Sequence, residues 1–236
     1  MIILKKKRLI YMACIILISI CLEIGLKSLK NETAQTIALP VSNTVIIIDA
    51  GHGAPDYGAT STSGLLESEI TLKIALKLQN LLEQSGTTVI LTRHDENGIY
   101  ELDKKSIRDK KVSDIHNRVK IGNESSADIF VSIHLNKIPQ EQYSGWQTFY
   151  GKDNEKAEKL ARSIQKNLNE VIDKENKRES LIIRDKYIID NITIPTVIVE
   201  CGFLSNVEEA KQLETEEYHD RLAWGIYTGI IEYFYY

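Results

Sequence analysis

The chain has 236 residues, 43% hydrophobic and 26% charged, which suffices for one substantial core and excludes both a disordered chain and several large domains. The formal net charge of −4 hides an asymmetry: residues 1–30 carry six basic side chains against one acidic, so residues 31–236 stand near −9. Such an acidic domain excludes general nucleic-acid binding, which needs a basic face for phosphates.

Lys5–Arg8 precede an uncharged apolar run, Leu9 to Leu22, the basic-then-apolar order of an export segment. A helix of that length spans about 21 Å, short of a ~30 Å hydrocarbon core. Flanking Ile24, Leu26 and snorkelling lysines can extend it. Residues 1–26 therefore read as an N-terminal membrane anchor or signal segment, with an uncleaved anchor, a cleaved signal and a lipid on Cys21 all left open. The charge bias exports the remainder of the chain to the outer face of the cytoplasmic membrane. Residues 27–43 read as a linker and 44–236 as the folded domain. Of the three cysteines only Cys201 lies in that domain, so a disulfide or a cysteine-rich zinc site is excluded there.

Along the domain, the pattern predicts a strand at Val45–Asp49 and a glycine-rich turn holding His52. From Glu69 the spacing of Ile70, Ile74, Ala75, Leu78, Leu81 and Leu82 predicts an amphipathic helix ended by Gly86. Thr87–Arg93 reads as a strand, Asp95–Lys111 as a surface loop, and Ile115, Val119 and Ile121 as a helix reaching Glu124. Strands come next within Ala127–Asn136 and at Gly145–Tyr150, then a helix lined by Ala157, Leu160, Ala161, Ile164, Leu168 and Val171. Pro195–Phe203 is a buried strand, Ser205 with Glu208 a capping box for a short helix, and Leu222–Phe234 a closing helix. Strands alternating with helices give an α/β fold, a single domain with a mostly parallel central sheet flanked by helices.

Three of these strands lead to a residue able to bind or activate: Val45–Asp49 to His52, Ile129–Ile133 to His134, and Val197–Val199 to Glu200. Sites in open α/β sheets gather beyond the carboxyl ends of parallel strands, so the three point at one crevice. A glutamate from "GLLESEI" completes a His₂Glu set, which leaves zinc an open coordination position; position alone does not separate Glu67 from Glu69. Magnesium or calcium would want more oxygen ligands. Glu200 follows β-branched residues, a costly place for an unpaired carboxylate, and reads as a general base or acid beside an activated water. Arg93 and Asn136 flank the crevice as candidates for substrate contact. His94 and His116 read as solvent-exposed, His219 as a helix-start contact and Cys201 as a buried small residue. The runs Lys156–Lys159 and Lys174–Arg178 read as solvated faces.

The stretches "IDAGHGAPDYGA", "GLLESEI", "SADIFVSIHLN" and "IPTVIVECGFLSN" resemble, in order and spacing, the zinc-dependent N-acetylmuramoyl-L-alanine amidases of the amidase-3 type, from about Val45 to the C-terminus. The resemblance implies one Zn²⁺ held by His52, Glu67 and His134, with Glu200 catalytic and peptidoglycan as substrate. It favours Glu67 over Glu69, because Ser68–Glu69 stands where the family often has Lys-Asp; Ala54 replaces the commoner third glycine. "NKRES", the N-terminal apolar segment and the lack of wall-binding repeats are similar to the sporulation and germination amidases of that family. These imply removal of stem peptides from spore cortex, so that muramic-δ-lactam can form in the sporulating cell. A zinc peptidase or deacetylase acting on cell-wall material, and a non-catalytic wall-binding protein, are the alternatives. With only three side chains for the ion, an activating protein partner such as a lipoprotein on the same membrane is left open.

Overall fold

A computed structural model describes residues 12, 15–23 and 39–236. The chain divides into two units, residues 1–38 and Leu39–Tyr236. In the first, residues 15–23 are helical with exposed side chains, and most of the expected membrane segment and linker falls outside the described residues. No helix among the described residues is long and apolar enough to cross a membrane. The second unit begins before the expected boundary at residue 44, because Val41 is packed into the core and its carbonyl accepts from the Thr44 and Thr87 hydroxyls.

Its centre is a six-stranded sheet in the order β2-β1-β3-β6-β4-β5. The strands are β1 (Val45–Ala50), β2 (Thr88–Leu91), β3 (Ile129–Asn136), β4 (Gln147–Gly151), β5 (Leu181–Ile183) and β6 (Thr196–Phe203). Only the β4–β6 pairing is antiparallel. The fold is thus α/β with a mostly parallel sheet. The helices are α1 (Glu67–Gln84), α2 (Ile107–Glu124), α3 (Glu155–Val171), α4 (Tyr187–Asn191), α5 (Val207–Leu213) and α6 (Glu216–Tyr235).

The two faces of the sheet differ, and the difference creates the site. Successive side chains on a strand point to opposite faces. Ile46, Ile48, Ala50, Val131, Ile133, Val197 and Val199 point to one face and form a large core with α1, α3 and α6. Ile47 and Phe130 point to the other, where a smaller core is closed by Val119 of α2, Ile188 of α4 and Ile192 just after it. By the same alternation Asp49, Ser132, His134, Ile198 and Glu200 belong to this thinner side. This cover, α2 and the five-residue α4, leaves the carboxyl end open as a cleft of about 420 Å³.

Several local expectations shift. Helix α1 starts at Glu67, and α2 starts at Ile107 because the Ser106 hydroxyl accepts from Asp109 N, which shortens the expected 95–111 loop. The cap of α5 is Asn206, whose side chain accepts from Glu209 N; Ser205 and Glu208 form no capping box. Glu209 is buried instead, accepting from Gly145 N and Phe203 N and pairing with Lys174 at 3.1 Å. Arg178 lies over the Phe203 ring, 4.8 Å from its centroid. The 174–178 run is therefore partly packed rather than a solvated face, because a buried carboxylate and an aromatic ring draw its cations inward.

Candidate active site

The segment after β1 carries His52 with φ of 63°, a left-handed conformation uncommon for a residue with a side chain. Gly51 before it has no room for a side chain, since an added Cβ would stand 2.7 Å from two atoms of the His134 ring. A Cβ on Gly58 would meet Glu67 Oε2 at 2.5 Å and His52 Cδ2 at 2.7 Å. The glycines therefore let three candidate ligand side chains, His52, Glu67 and His134, crowd together.

Glu67 sits at the centre of that crowd. Its Oε1 lies 3.2 Å from His52 Nε2 and 3.0 Å from His134 Nδ1, and accepts from Leu135 N at 3.0 Å. Its Oε2 accepts from Ala59 N at 2.8 Å. One ligand atom from each of His52, Glu67 and His134 lies within 4.8 Å of the others. The imidazole rings meet edge to face with centroids 5.0 Å apart. Burial opposes ionisation of Glu67, but His134 and His52 hold its carboxyl well below the usual carboxylate range.

The donor set fits a zinc ion. His52 Nδ1 lies 3.0 Å from Asp56 Oδ2, so both ring nitrogens face carboxylate oxygens. That arrangement needs positive charge on the ring or between the ring and Glu67. Burial disfavours a charged imidazole, yet hydrogen bonds to Asp56 and Glu67 raise its pKa to about 9. A cation held by two imidazole nitrogens and one carboxylate oxygen answers the same electrostatic demand, and the set leaves zinc's fourth position open. Asp56 orients the ring from behind, a position sequence reasoning missed although it falls four residues after His52 in the same motif. It is itself held by Lys111 at 3.0 Å.

Glu200 stands on β6 directly beside His134 on β3, the two being register partners. Both lie inside their strands rather than beyond the strand ends as expected, because parallel pairing with the neighbouring strand continues past them. The Oε2 of Glu200 is shielded from water and has no hydrogen-bond partner among the described residues. Burial is the main reason its pKa is raised; His134 opposes the shift and the Glu67 charge adds to it.

Beneath the cleft lies a charged frame. Arg118 of α2 donates to Asp49 Oδ1 and to the carbonyls of Ala50 and His52, and its Nε donates to Asp114. Asp49 also accepts from Ser132 and Thr92. A carboxylate at the end of an apolar strand was the available signal for this frame.

The chain matches the family profile described as N-acetylmuramoyl-L-alanine amidase over residues 46–232. The chain belongs to the N-acetylmuramoyl-L-alanine amidase family. It is an enzyme of that class, a hydrolase of the cell wall. It is 37% identical to the germination-specific N-acetylmuramoyl-L-alanine amidase of Bacillus subtilis, over 87% of this chain and 86% of that one. Among solved structures it resembles the CwlD amidase from Clostridioides difficile in complex with the GerS lipoprotein, at 45% identity and a TM-score of 0.79, over 81% of this chain and 98% of that one. It also resembles the catalytic domain of CwlV from Paenibacillus polymyxa, at 32% identity and a TM-score of 0.69, over 80% and 97%.

Within this amidase the two substrate-contact candidates stand apart from the cleft lining. Arg93 is buried, and its guanidinium donates to the carbonyls of Ala50, Gly51, Ser68 and Asp95, so its work is structural. Asn136 lies past a register shift after His134, with its carbonyl accepting from Leu204 N. His94 and His116 are exposed, and His219 is buried with Nε2 2.6 Å from Leu213 O. Cys201 is fully buried, and burial pushes its thiol up, so it is not a nucleophile. The sequence pattern missed β5 and α4, of three and five residues, which are too short for a period to show. Their segment nonetheless supplies Ile183, Lys186, Tyr187 and Ile188 to the cleft wall.

Proposed function

We propose that this amidase hydrolyses the amide between the lactyl group of N-acetylmuramic acid and L-alanine, using zinc held by His52, Glu67 and His134 and a proton shuttle at Glu200. The observation that carries this is Glu67 Oε1 set between two histidine nitrogens, with the unpartnered Glu200 carboxylate on the adjoining strand. A bound zinc would acidify water and polarise the scissile carbonyl. The Glu200 carboxylate takes the proton from the attacking water and delivers it to the departing amine. Its raised pKa suits a carboxylate that must hold a proton between those two events. Asp56 keeps the His52 ring turned so that Nε2 faces Glu67, while Leu135 N and Ala59 N fix the Glu67 carboxylate.

The likeness to a germination-specific relative supports a place in spore cortex, where removal of stem peptides permits muramic-δ-lactam formation. The basic-then-apolar N-terminus supports action on the outer face of the cytoplasmic membrane, in anchored or secreted form. The relative solved with a lipoprotein supports a protein partner for this chain as well. Mass spectrometry of digested peptidoglycan tests the reaction: muramyl sugars stripped of peptide are expected. Cut cross-bridges or lost acetyl groups would instead indicate a peptidase or deacetylase. A metal assay of the purified chain tests the partner; stoichiometric zinc without one would remove the need for it.

A further inference from the structure

The charges lining the cleft do not balance in the way the rest of the domain would suggest. Residues 31–236 are acidic, yet in this cleft four cationic side chains, Lys111, Arg118, Lys137 and Lys186, stand against four carboxylates, Asp56, Glu67, Asp114 and Glu200. Two are already engaged, Lys111 with Asp56 at 3.0 Å and Arg118 with Asp49 and Asp114. The other two face no carboxylate within ion-pair distance among the described residues. Lys137 follows β3, is exposed, and donates only to the Thr60 carbonyl, at 2.6 Å. Lys186 precedes α4 and is exposed, with no ion pair. They stand on different walls: Thr60 belongs to the loop entering α1 on one face of the sheet, whereas α4 covers the other. In an acidic domain, unmatched cations at a cleft mouth focus a positive field where the ligand enters.

We propose that Lys137 and Lys186 form a carboxylate-binding subsite that receives an acidic peptide on the leaving side of the scissile amide. This rests on the amidase reaction proposed above and adds the chemistry by which the enzyme recognises its substrate. Two cations on separate walls suit carboxylates spaced along an extended peptide rather than one anionic group. Each lysine reaches in from the rim on a flexible stem, so it binds as a point charge and leaves the chemistry to the floor of the cleft. Lys186 is also near enough to Glu200 for its charge to be felt there, which ties the subsite to the reacting end of the cleft.

The test is a binding titration in the Glu200→Gln background, so that the ligand survives. The probes are an N-acetylmuramoyl tetrapeptide with free carboxylates and the same compound with those carboxylates amidated. The acidic compound is expected to bind more tightly, and Lys137→Ala and Lys186→Ala each to weaken it by roughly fivefold, the range of an exposed ion pair. The amidated compound should not distinguish the variants, Lys→Arg at either position should retain the preference, and added salt should erode it. Equal affinity for the two compounds, or no measurable binding of either, would overturn the subsite. So would an alanine variant that loses affinity equally for both. Cleavage by the enzyme with Glu200 intact is followed separately on the same compounds. A retained acidic preference with an uncut muramoyl–alanine bond would overturn the reaction and support the subsite.

Discussion

Arg118 donates to the main-chain carbonyl of His52 at 2.5 Å while its other amino group holds the buried carboxylate of Asp49 at 2.5 Å. One side chain on a helix thus locks the left-handed turn that presents a candidate metal ligand. Both partners are almost wholly buried, so neither can fall back on water if the other is removed. Arg118→Ala is expected to destabilise the fold by about 3–5 kcal/mol, because it strands a buried charge. Denaturant unfolding of the variant beside the parent measures this. Arg118→Lys should recover only part, since an ammonium cannot span Asp49, His52 and Asp114 together.

The same pair predicts behaviour in acid. Burial alone would raise the Asp49 pKa, but Arg118 and the Ser132 and Thr92 hydroxyls hold it below its ordinary value of 3.8. A carboxyl depressed on folding stabilises the fold above its unfolded pKa, and that stability is lost as pH falls through the lower folded value. Unfolding free energy should therefore fall with acidification below about pH 4. Asp49→Asn should be less stable at neutral pH and show a shallower acid limb.

Asp56 acts on His52 from behind, through Nδ1. Asp56→Asn should leave the fold intact, since Asp56 lies at the cleft rim, and weaken zinc retention by about 10–100-fold, the usual effect of losing a carboxylate behind a metal-binding histidine. Competition against a graded series of chelators reads the affinity directly. Unchanged retention would refute the orienting role.

Glu200→Gln preserves shape and removes the group proposed to carry the proton. Zinc content should stay at the parent level while turnover drops by about 10²–10⁴-fold. Metal analysis and a peptide-release assay on the same preparation separate the two quantities. Parent-like turnover would remove Glu200 from the chemistry.

Gly51→Ala tests the crowding of the site. The new methyl group would press on the His134 ring and is expected to cost about 1–3 kcal/mol, as overpacking does. Zinc retention should fall with it, because the displaced ring carries one of the three donor atoms. Thermal unfolding with and without zinc measures both effects.

How much of the fold and site is legible in the sequence depends on the length of the signal. Helix α1 declares itself through an apolar stripe that its buried Ile70, Ile74, Ala75, Leu78 and Leu82 reproduce. Strands β1, β3 and β6 do so through β-branched runs; His134 and Glu200 stand out as polar interruptions of β3 and β6, and His52 stands in the glycine turn after β1. Segments of three or five residues, β5 and α4, hold no period, although they form one wall of the cleft. The capping pattern at Ser205–Glu208 misleads by one residue, because Glu209 is drawn inward to satisfy the amides of Gly145 and Phe203. Arg93 looks available for substrate on the strength of its position and is buried under four carbonyls.

By itself the order of residues determined the α/β class, the export-like N-terminus, the strands that carry His134 and Glu200 and the glycine turn that carries His52, since alternation and apolar runs are local properties of the chain. Only the tertiary structure brought Glu67 Oε1 between the two imidazoles, set Arg118 beneath His52, and left Lys137 and Lys186 at the mouth without carboxylate partners among the described residues. Those relations join residues far apart in sequence. They exist because sheet register and the thin helical cover on one face bring the side chains together.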